Sequence, residues 1–310
     1  MILALQWLWR KWRLRPWHAD FQTAIHLFFC RNRVKWRFTK KGWRNFSMLA
    51  DALGMFEQQG FVIWPRPMEK GLLDSLVASV EAIQRHAQAR TLDPALDELL
   101  VYEKDLPASK RAGLDGALTG NSIFIVGDPA RFDEVFAETL HDAALVSAAT
   151  TLLGVDEAVV HFMNVTIKNP GFGRSISWHR DYPNGYFCTR DSSFVRLMIC
   201  LDGMSVESGA TCFDAGTHRI SDQEAQQQKV SGTWPTPDPA DTVTVQCDPG
   251  QIVAIHPKVL HGGGMNTGSG MRRNVILQIG TLGAEPMTHA EESLTGIVIG
   301  AKGCREHLNR

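Results

Sequence analysis

The sequence predicts a mainly β fold with flanking helices and a double-stranded β-helix core, a cupin-like jelly roll. From residue 158 onward, short strand-like segments are separated at short intervals by turn residues, as in an antiparallel sandwich or barrel. Before that point, longer stretches repeat apolar residues at helical spacing. With 310 residues, 44% hydrophobic and 21% charged, the chain has the length and composition of an ordinary soluble protein with a sizeable core.

Residues 1–45 differ in composition from the rest of the chain. They contain eleven Lys or Arg and one acid, Asp20, for a net charge of +10, whereas the other 265 residues sum to −11. They also hold six of the nine tryptophans. Because Trp interleaved with basic residues is typical of a membrane interface, we expect this basic, Trp-rich arm to contact an anionic membrane surface.

Other interpretations of this arm remain open. Its apolar runs are much shorter than the roughly 20 residues needed to span a bilayer, and its charges follow the first apolar run, unlike those of a signal peptide. The tryptophans could instead pack on the acidic domain. Nucleic-acid binding is disfavoured because no recognition motif accompanies the basic residues. The six cysteines form no Cys-x-x-Cys pair, so we expect reduced thiols and a cytoplasmic protein, peripheral on the inner face of the membrane.

Residues 46–310 are predicted to form a single catalytic domain. Apolar spacing predicts helices over 47–58, 68–89 and 129–153, and a short strand over 61–64. Further strands are predicted over 159–168, 174–180, 194–201, 210–214, 242–246, 251–256 and 274–280. The Pro-rich, polar segment 220–240 is interpreted as a loop, either a lid or a plain linker.

A His-x-Asp pair and a distant histidine form the candidate metal site. Alternate side chains of a strand share a face, so His179 and Asp181 point to the same side while Arg180 points away. His261, arriving from another strand, would complete two imidazoles and one carboxylate on one face of a metal ion. This arrangement suits non-haem Fe(II), whose open positions take a co-substrate and dioxygen. A lone His-x-Asp is more often a hydrogen-bonded surface pair, so its context decides.

Arg272 supplies that context, because it follows His261 by eleven residues and leads into an apolar strand. A guanidinium in this place can form a bidentate pair with a carboxylate held at the metal. A dicarboxylate such as 2-oxoglutarate fits this requirement, since one end chelates iron and the other needs a fixed cation.

The chain resembles the phytanoyl-CoA dioxygenase (PhyH) family of Fe(II)/2-oxoglutarate oxygenases across roughly residues 50 to 285. The resemblance is carried by FEQQGFVI (56–63), IKNP (167–170), WHRD (178–181), GATCFDAGTHR (209–219) and the segment 261–272. It implies that His179, Asp181 and His261 ligate iron and that Arg272 anchors the far carboxylate of 2-oxoglutarate. It also implies co-substrate contacts from Thr166 and Lys168. The chain departs from the family at Gly263, where members often have Ser.

The resemblance further implies a hydroxylase that uses Fe(II), 2-oxoglutarate and O2 and releases succinate. In halogenases of this superfamily a small residue replaces the carboxylate ligand, so Asp181 favours hydroxylation. Together with the basic arm, this suggests a small-molecule or lipid-linked substrate, such as the Kdo sugar of lipopolysaccharide. A soluble hydroxylase of an acyl-CoA, an amino acid or a natural product is the main alternative. A non-catalytic cupin-like binding module and a cupin enzyme with another metal are further ones.

Several other polar residues are given lesser roles. His218 is expected in a structural turn and not at the metal, and His256 is expected to be a hydrogen-bonded histidine at a strand end. Four arginines of the catalytic domain could hold a substrate anion or pair with its surplus acids, and the sequence does not distinguish among them: Arg174, Arg190, Arg196 and Arg273.

Overall fold

The computed structural model describes residues 40–106, 120–288 and 291–300. The chain divides into one unit that ends at Asp51 and a second that begins at Ala52. Most of the predicted basic arm, up to residue 39, lies outside the described residues. In the part of the chain that the structure describes, no helix is both long and apolar enough to cross a membrane.

Six α-helices and fourteen β-strands are present among the described residues. The helices are α1 (Lys40–Gln59), α2 (Lys70–Ala89), α3 (Pro94–Asp97), α4 (Val135–Glu138), α5 (Ala143–Leu153) and α6 (Asp222–Ser231). The first seven strands are β1 (Phe61–Ile63), β2 (Leu100–Tyr102), β3 (Ile123–Gly127), β4 (Glu157–Lys168), β5 (Ile176–His179), β6 (Cys188–Thr189) and β7 (Phe194–Cys200). The other seven are β8 (Thr211–Asp214), β9 (Thr242–Thr244), β10 (Ile252–Ile255), β11 (Leu260–Gly263), β12 (Arg272–Thr281), β13 (Pro286–Thr288) and β14 (Val298–Gly300).

Twelve of the strands form two antiparallel sheets that face each other, as the predicted jelly roll requires, and β6 pairs with β13 in a separate two-stranded sheet. The larger sheet has the order β1-β10-β7-β12-β4-β3-β2, with β14 paired to β4, and the smaller has the order β5-β11-β8-β9. Four strands of the larger sheet, β10-β7-β12-β4, and the four of the smaller make up the double-stranded β-helix. The predicted fold class is therefore confirmed.

An apolar core fills the space between the two sheets at one end. Phe61 of β1 stacks on Phe213 of β8, with ring centroids 4.3 Å apart. Met198 of β7 and Val253 of β10 complete this buried cluster from the larger sheet. Helix α5 lies against β4, β7 and β12, and its alanine-rich sequence lets it approach the sheet closely.

The helix predicted over 47–58 begins earlier, at Lys40, and two further predicted elements differ from the structure in kind. The stretch predicted as one helix over 129–153 is interrupted, because extended backbone at Asp142 stops one helical turn and its carboxylate caps the start of α5. The segment 220–240, interpreted as a loop, contains α6. Ser221 caps that helix by accepting a hydrogen bond from the Glu224 backbone, and Gly232 ends it in a left-handed conformation.

Candidate active site

The register between β5 and β11 brings two of the predicted metal ligands together. His261 of β11 lies directly opposite His179 of β5, and their ring centroids are 4.3 Å apart. On its other side β11 pairs with β8, which places His261 opposite Phe213, and the two rings stack at 5.6 Å. The metal-side position of His261 is therefore fixed by hydrogen bonds on both strand edges and by packing beneath the ring.

Asp181 completes the cluster, although β5 ends at His179 and the aspartate lies just beyond it. Its Oδ1 is 3.7 Å from Nε2 of His179, and its Oδ2 is 3.7 Å from Nε2 of His261. One ligand atom from each residue lies within 4.8 Å of the others, and these three form the one such cluster of His, Cys, Asp and Glu among the described residues. Asp181 is fully buried, whereas the His179 side chain is 34% exposed and marks the open side of the site.

Both imidazoles are oriented by a backbone carbonyl two residues earlier in the chain. Nδ1 of His179 lies 2.8 Å from the Ser177 carbonyl oxygen, and Nδ1 of His261 lies 3.0 Å from that of Val259. Because a carbonyl oxygen only accepts, each Nδ1 carries the proton and each Nε2 presents its lone pair toward Asp181.

The protonation states of the buried ligands also suit a metal. Burial lowers the pKa of His261 to about 4, so the ring is neutral at pH 7. Burial raises the pKa of Asp181, but the Arg196 guanidinium and then the two histidines outweigh this effect, so the pKa is lowered overall and the carboxylate is ionised. A metal ion binding here meets no competing proton on either residue.

The residues present fit a divalent metal ion. Neither carboxylate oxygen of Asp181 receives a hydrogen bond, even though both atoms are buried. Arg196 forms an ion pair with Oδ1, whereas Oδ2 has no Lys or Arg partner among the described residues, and a buried carboxylate oxygen left in this way is costly unless a cation satisfies it. Two imidazole nitrogens and one carboxylate on one face form the facial arrangement of non-haem iron centres.

Two buried basic side chains, Arg272 and Lys168, lie on the paired strands β12 and β4 of the larger sheet. Nη2 of Arg272 donates to Oγ1 of Thr211 at 2.8 Å. Nζ of Lys168 donates to the carbonyl oxygens of Gly209, at 2.8 Å, and Gly264. Arg272 and Lys168 are also direct partners across β12 and β4. Among the described residues no carboxylate forms an ion pair with either cation.

The distance from these cations to the metal ligands follows from the strand register. Thr211, which Arg272 contacts, pairs with Gly263, two residues beyond the pair of Phe213 and His261. Two residues of strand correspond to about 7 Å, and they share one face of the sheet. An extended five-carbon dicarboxylate that chelates a metal at one end spans such a separation. The contact of Arg272 with Thr211 thus lies about two strand residues from His261.

Thr166, the remaining predicted co-substrate residue, lies on β4 two residues before Lys168 and faces the same side of the sheet. It pairs with Asn274 of β12 and is 6% exposed. Thr166 therefore lines the same interior as Lys168, between this cation and the middle of the sheet.

Arg196 is the functional candidate that the sequence did not distinguish. Its Nη1 lies 2.6 Å from Oδ1 of Asp181, a close ion pair without the linear geometry of a hydrogen bond. The other three arginines pair with acids away from the triad: Arg174 with Glu103, Arg190 with Glu285 and Arg273 with Asp202 and Glu81. Arg196 is an interior residue because β7 lies between β10 and β12 in the larger sheet, and no local sequence motif indicates this position.

The two other histidines take the structural positions expected of them. Nε2 of His218 lies 3.1 Å from the Glu57 carbonyl oxygen, and its ring packs 4.8 Å from that of His256. Nδ1 of His256 accepts from the Lys258 backbone. Neither belongs to the cluster of candidate ligands.

Comparison with known families agrees with this geometry. The family profile described as phytanoyl-CoA dioxygenase (PhyH) matches residues 56–274, which is more than half of the chain and contains the three candidate metal ligands, Arg272, Lys168, Thr166 and Arg196. The chain belongs to the phytanoyl-CoA dioxygenase family. The predicted resemblance and the predicted enzyme class, a 2-oxoglutarate-dependent dioxygenase with Fe(II), 2-oxoglutarate and O2 as its cofactors, are thereby confirmed.

Solved structures similar to the chain share its fold. AviO1 from Streptomyces viridochromogenes Tue57 has 21% sequence identity and a TM-score of 0.57, over 76% of this chain and 96% of that one. EctD from S. alaskensis, solved with bound Fe, has 18% identity and a TM-score of 0.57, over 78% and 81%. SnoK, a non-heme alpha ketoglutarate dependent carbocyclase from nogalamycin biosynthesis, has 16% identity and a TM-score of 0.57, over 80% and 95%. No curated protein sequence is similar enough to the chain to count as a match.

Proposed function

We propose that this member of the phytanoyl-CoA dioxygenase family hydroxylates a C–H bond of an organic substrate. His179, Asp181 and His261 would hold Fe(II), and Arg272 with Lys168 would hold the far carboxylate of 2-oxoglutarate. The observation that carries the proposal is Asp181, a fully buried carboxylate whose two oxygens each lie 3.7 Å from an imidazole nitrogen and receive no hydrogen bond.

Iron held by His179, Asp181 and His261 would supply the oxidative chemistry of this family, in which 2-oxoglutarate and O2 give succinate and CO2 and the second oxygen atom enters the substrate C–H bond. The chain contributes orientation, charge and exclusion of water. The carbonyls of Ser177 and Val259 orient the imidazoles, and Arg272 stabilises a carboxylate in a site where an unpaired anion would be costly. Phe213 packs beneath His261 and keeps water from that side of the site.

Asp181 also decides between hydroxylation and halogenation. A halide needs the ligand position that a carboxylate otherwise occupies, and here the carboxylate is present and buried. Hydroxylation is therefore the outcome that the ligand set supports. We expect Asp181→Ala to lose it.

The test is an anaerobic titration of the Fe(II)-loaded protein with 2-oxoglutarate, followed by its visible metal-to-ligand charge-transfer band. We expect the band in the wild type and its loss in Asp181→Ala and His261→Ala. The matched control is His218→Ala, which removes another buried histidine outside the cluster and should keep the band. If the wild type shows no band, the proposed iron and co-substrate site is wrong.

We further propose that the substrate is presented at an anionic membrane surface, as the Kdo sugar of lipopolysaccharide would be. The supporting observation is compositional, namely the charge of +10 and the six tryptophans of residues 1–45. The rival is a freely diffusing acyl-CoA, amino acid or natural product.

Deletion of residues 1–45 separates the two proposals about the substrate. A membrane-presented substrate predicts that the full chain co-sediments with vesicles containing anionic lipid, that the deletion abolishes co-sedimentation, and that 2-oxoglutarate binding is unchanged. Succinate release with a panel of substrates, lipid A first, would then identify the hydroxylated compound. If the full chain and the deletion variant partition equally between vesicles and solution, a soluble substrate is favoured.

A further inference from the structure

The Arg196 guanidinium is held beside Asp181 by two further neighbours, Phe162 of β4 and Gln278 of β12. Its Nη1 is 2.6 Å from Oδ1 of Asp181, its central carbon lies 5.2 Å from the centre of the Phe162 ring, and its Nε lies 3.4 Å from Oε1 of Gln278. The side chain is only 13% exposed. The cation is therefore fixed in place against the carboxylate and is not a mobile surface group.

The Asp181 carboxylate presents both of its oxygens to the space between the imidazoles. Oδ1 faces Nε2 of His179 and Oδ2 faces Nε2 of His261, each at 3.7 Å. Nothing in the position of the carboxylate itself prevents it from chelating a metal through both atoms. What distinguishes the two oxygens is Arg196, which lies against Oδ1 alone.

The number of oxygens that bind decides how many positions of an octahedral metal stay open. With two imidazoles and one carboxylate oxygen, three positions remain, enough for a chelating 2-oxoglutarate and for dioxygen. With both oxygens bound, only two remain, and 2-oxoglutarate fills them. A chelating Asp181 would thus block dioxygen without preventing the binding of metal or 2-oxoglutarate.

We propose that Arg196 is a positioning residue that holds Oδ1 of Asp181 away from the metal, so that Asp181 binds through Oδ2 and one position stays open for dioxygen. The ion pair also offsets the negative charge of the oxygen that does not bind the metal. This inference rests on the proposed iron site, and it assigns to Arg196 a part in the reaction that does not require contact with the substrate.

The experiment compares wild type with Arg196→Met, an apolar replacement of similar length, by three readouts. These are the affinity for Co2+, the charge-transfer band with Fe(II) and 2-oxoglutarate, and the affinity of the anaerobic Fe(II)–2-oxoglutarate complex for nitric oxide, a probe of the open position. For Arg196→Met we expect undiminished Co2+ affinity and a retained band, but nitric oxide affinity weaker by about tenfold or more. Arg196→Lys keeps a cation beside Asp181 and should restore nitric oxide binding.

A merely structural role for Arg196 gives a different pattern, in which Co2+, 2-oxoglutarate and nitric oxide affinities all fall together. That pattern, or unchanged nitric oxide binding in Arg196→Met, would overturn the inference. If Arg196→Met does not fold, Arg196→Gln takes its place, and Arg190→Met at the exposed pair with Glu285 controls for the loss of an arginine. Absence of Co2+ binding and of the band in the wild type would instead refute the iron site itself.

Discussion

Nζ of Lys168 lies 3.1 Å from the position that a Cβ on Gly263 would occupy. Gly263 is the departure from the family noted in the sequence, because members often have Ser there. The ammonium of Lys168 takes up the space that the serine side chain would need, beside the ligand His261 on the same face of β11.

Gly263→Ala tests this relationship directly. The added Cβ would meet Nζ of Lys168 at 3.1 Å and the Ala210 carbonyl oxygen at 3.2 Å, so the ammonium must move. We expect the dissociation constant for 2-oxoglutarate to rise about tenfold, the cost of one weakened charge-assisted contact. Titration of the Fe(II) protein measures it. Gly264→Ala is the control, because its Cβ would have no neighbour within 4 Å. Equal effects of the two substitutions would contradict the role given to Lys168.

Arg272 and Arg273 are adjacent and both buried, yet they should respond oppositely to substitution. Arg273 pairs with Asp202 at 2.6 Å, whereas Arg272 has no carboxylate partner among the described residues. Burial lowers the pKa of Arg272, which reflects the cost of an uncompensated cation.

We therefore expect Arg272→Met to raise the free energy of unfolding of the protein without 2-oxoglutarate by about 1 kcal/mol. The same substitution should weaken 2-oxoglutarate binding by about a hundredfold, as expected when one partner of a buried charge pair is removed. Arg273→Met should instead lower stability by about 3 kcal/mol and leave 2-oxoglutarate affinity nearly unchanged. Urea unfolding and the anaerobic titration measure both quantities. A loss of stability in Arg272→Met would indicate that a partner already compensates this cation.

We expect Lys168 to make the affinity for 2-oxoglutarate depend on pH. Burial, and then the neighbouring Arg272, lower the pKa of Lys168 to about 7, so a large share of the free protein lacks this charge at neutral pH. A bound carboxylate favours the ammonium and raises the pKa, so binding takes up a proton above pH 7. Affinity should be constant below pH 7 and fall as the pH rises above it. Titrations from pH 6 to 9 test this, and a wild-type profile as flat as that of Lys168→Met would exclude it.

The sequence predicted the helices and strands of this fold wherever the apolar periodicity and the residues that end an element agree. The strand that contains Thr166 and Lys168 and the helix ended at Ala89 were located to within a few residues, because their apolar period is long and clear. The bounds of the short strand β11 were not predicted, although His261 was expected to lie on a strand, since its four residues include two glycines and depend on pairing with β5 and β8. Helix α6 was missed because its polar sequence lacks an apolar face, although Ser221 and Gly232 marked both ends.

The residues of the candidate site likewise divide into those that local sequence predicts and those that depend on strand pairing. Spacing and family resemblance were enough to name four site residues, because their residue types indicate metal or carboxylate binding: His179, Asp181, His261 and Arg272. Arg196 could not be named, since its importance comes from its contact with Asp181, which is fifteen residues away in the sequence. The contact of Lys168 with Gly264 likewise joins residues distant in the chain. Long-range strand register, which local sequence does not encode, decides which of several arginines becomes functional.

The ion pair of Asp181 and Arg196 should also appear in the stability of the metal-free protein. Asp181→Asn leaves a buried guanidinium without its anion and should cost about 3 kcal/mol of unfolding free energy, because breaking a buried pair exposes the desolvation penalty of the partner. Arg196→Met should likewise be destabilising. Their combination should cost less unfolding free energy than the sum of the two single effects, with a coupling of about 1–3 kcal/mol, since no charge is then left unpaired.

Urea unfolding of the wild type, the two single variants and the double variant in the presence of a chelator measures this coupling. The exposed pair of Arg190 and Glu285 provides the control, where solvent screening predicts little coupling. Additive effects at Asp181 and Arg196 would mean that the two charges do not compensate each other in the folded protein.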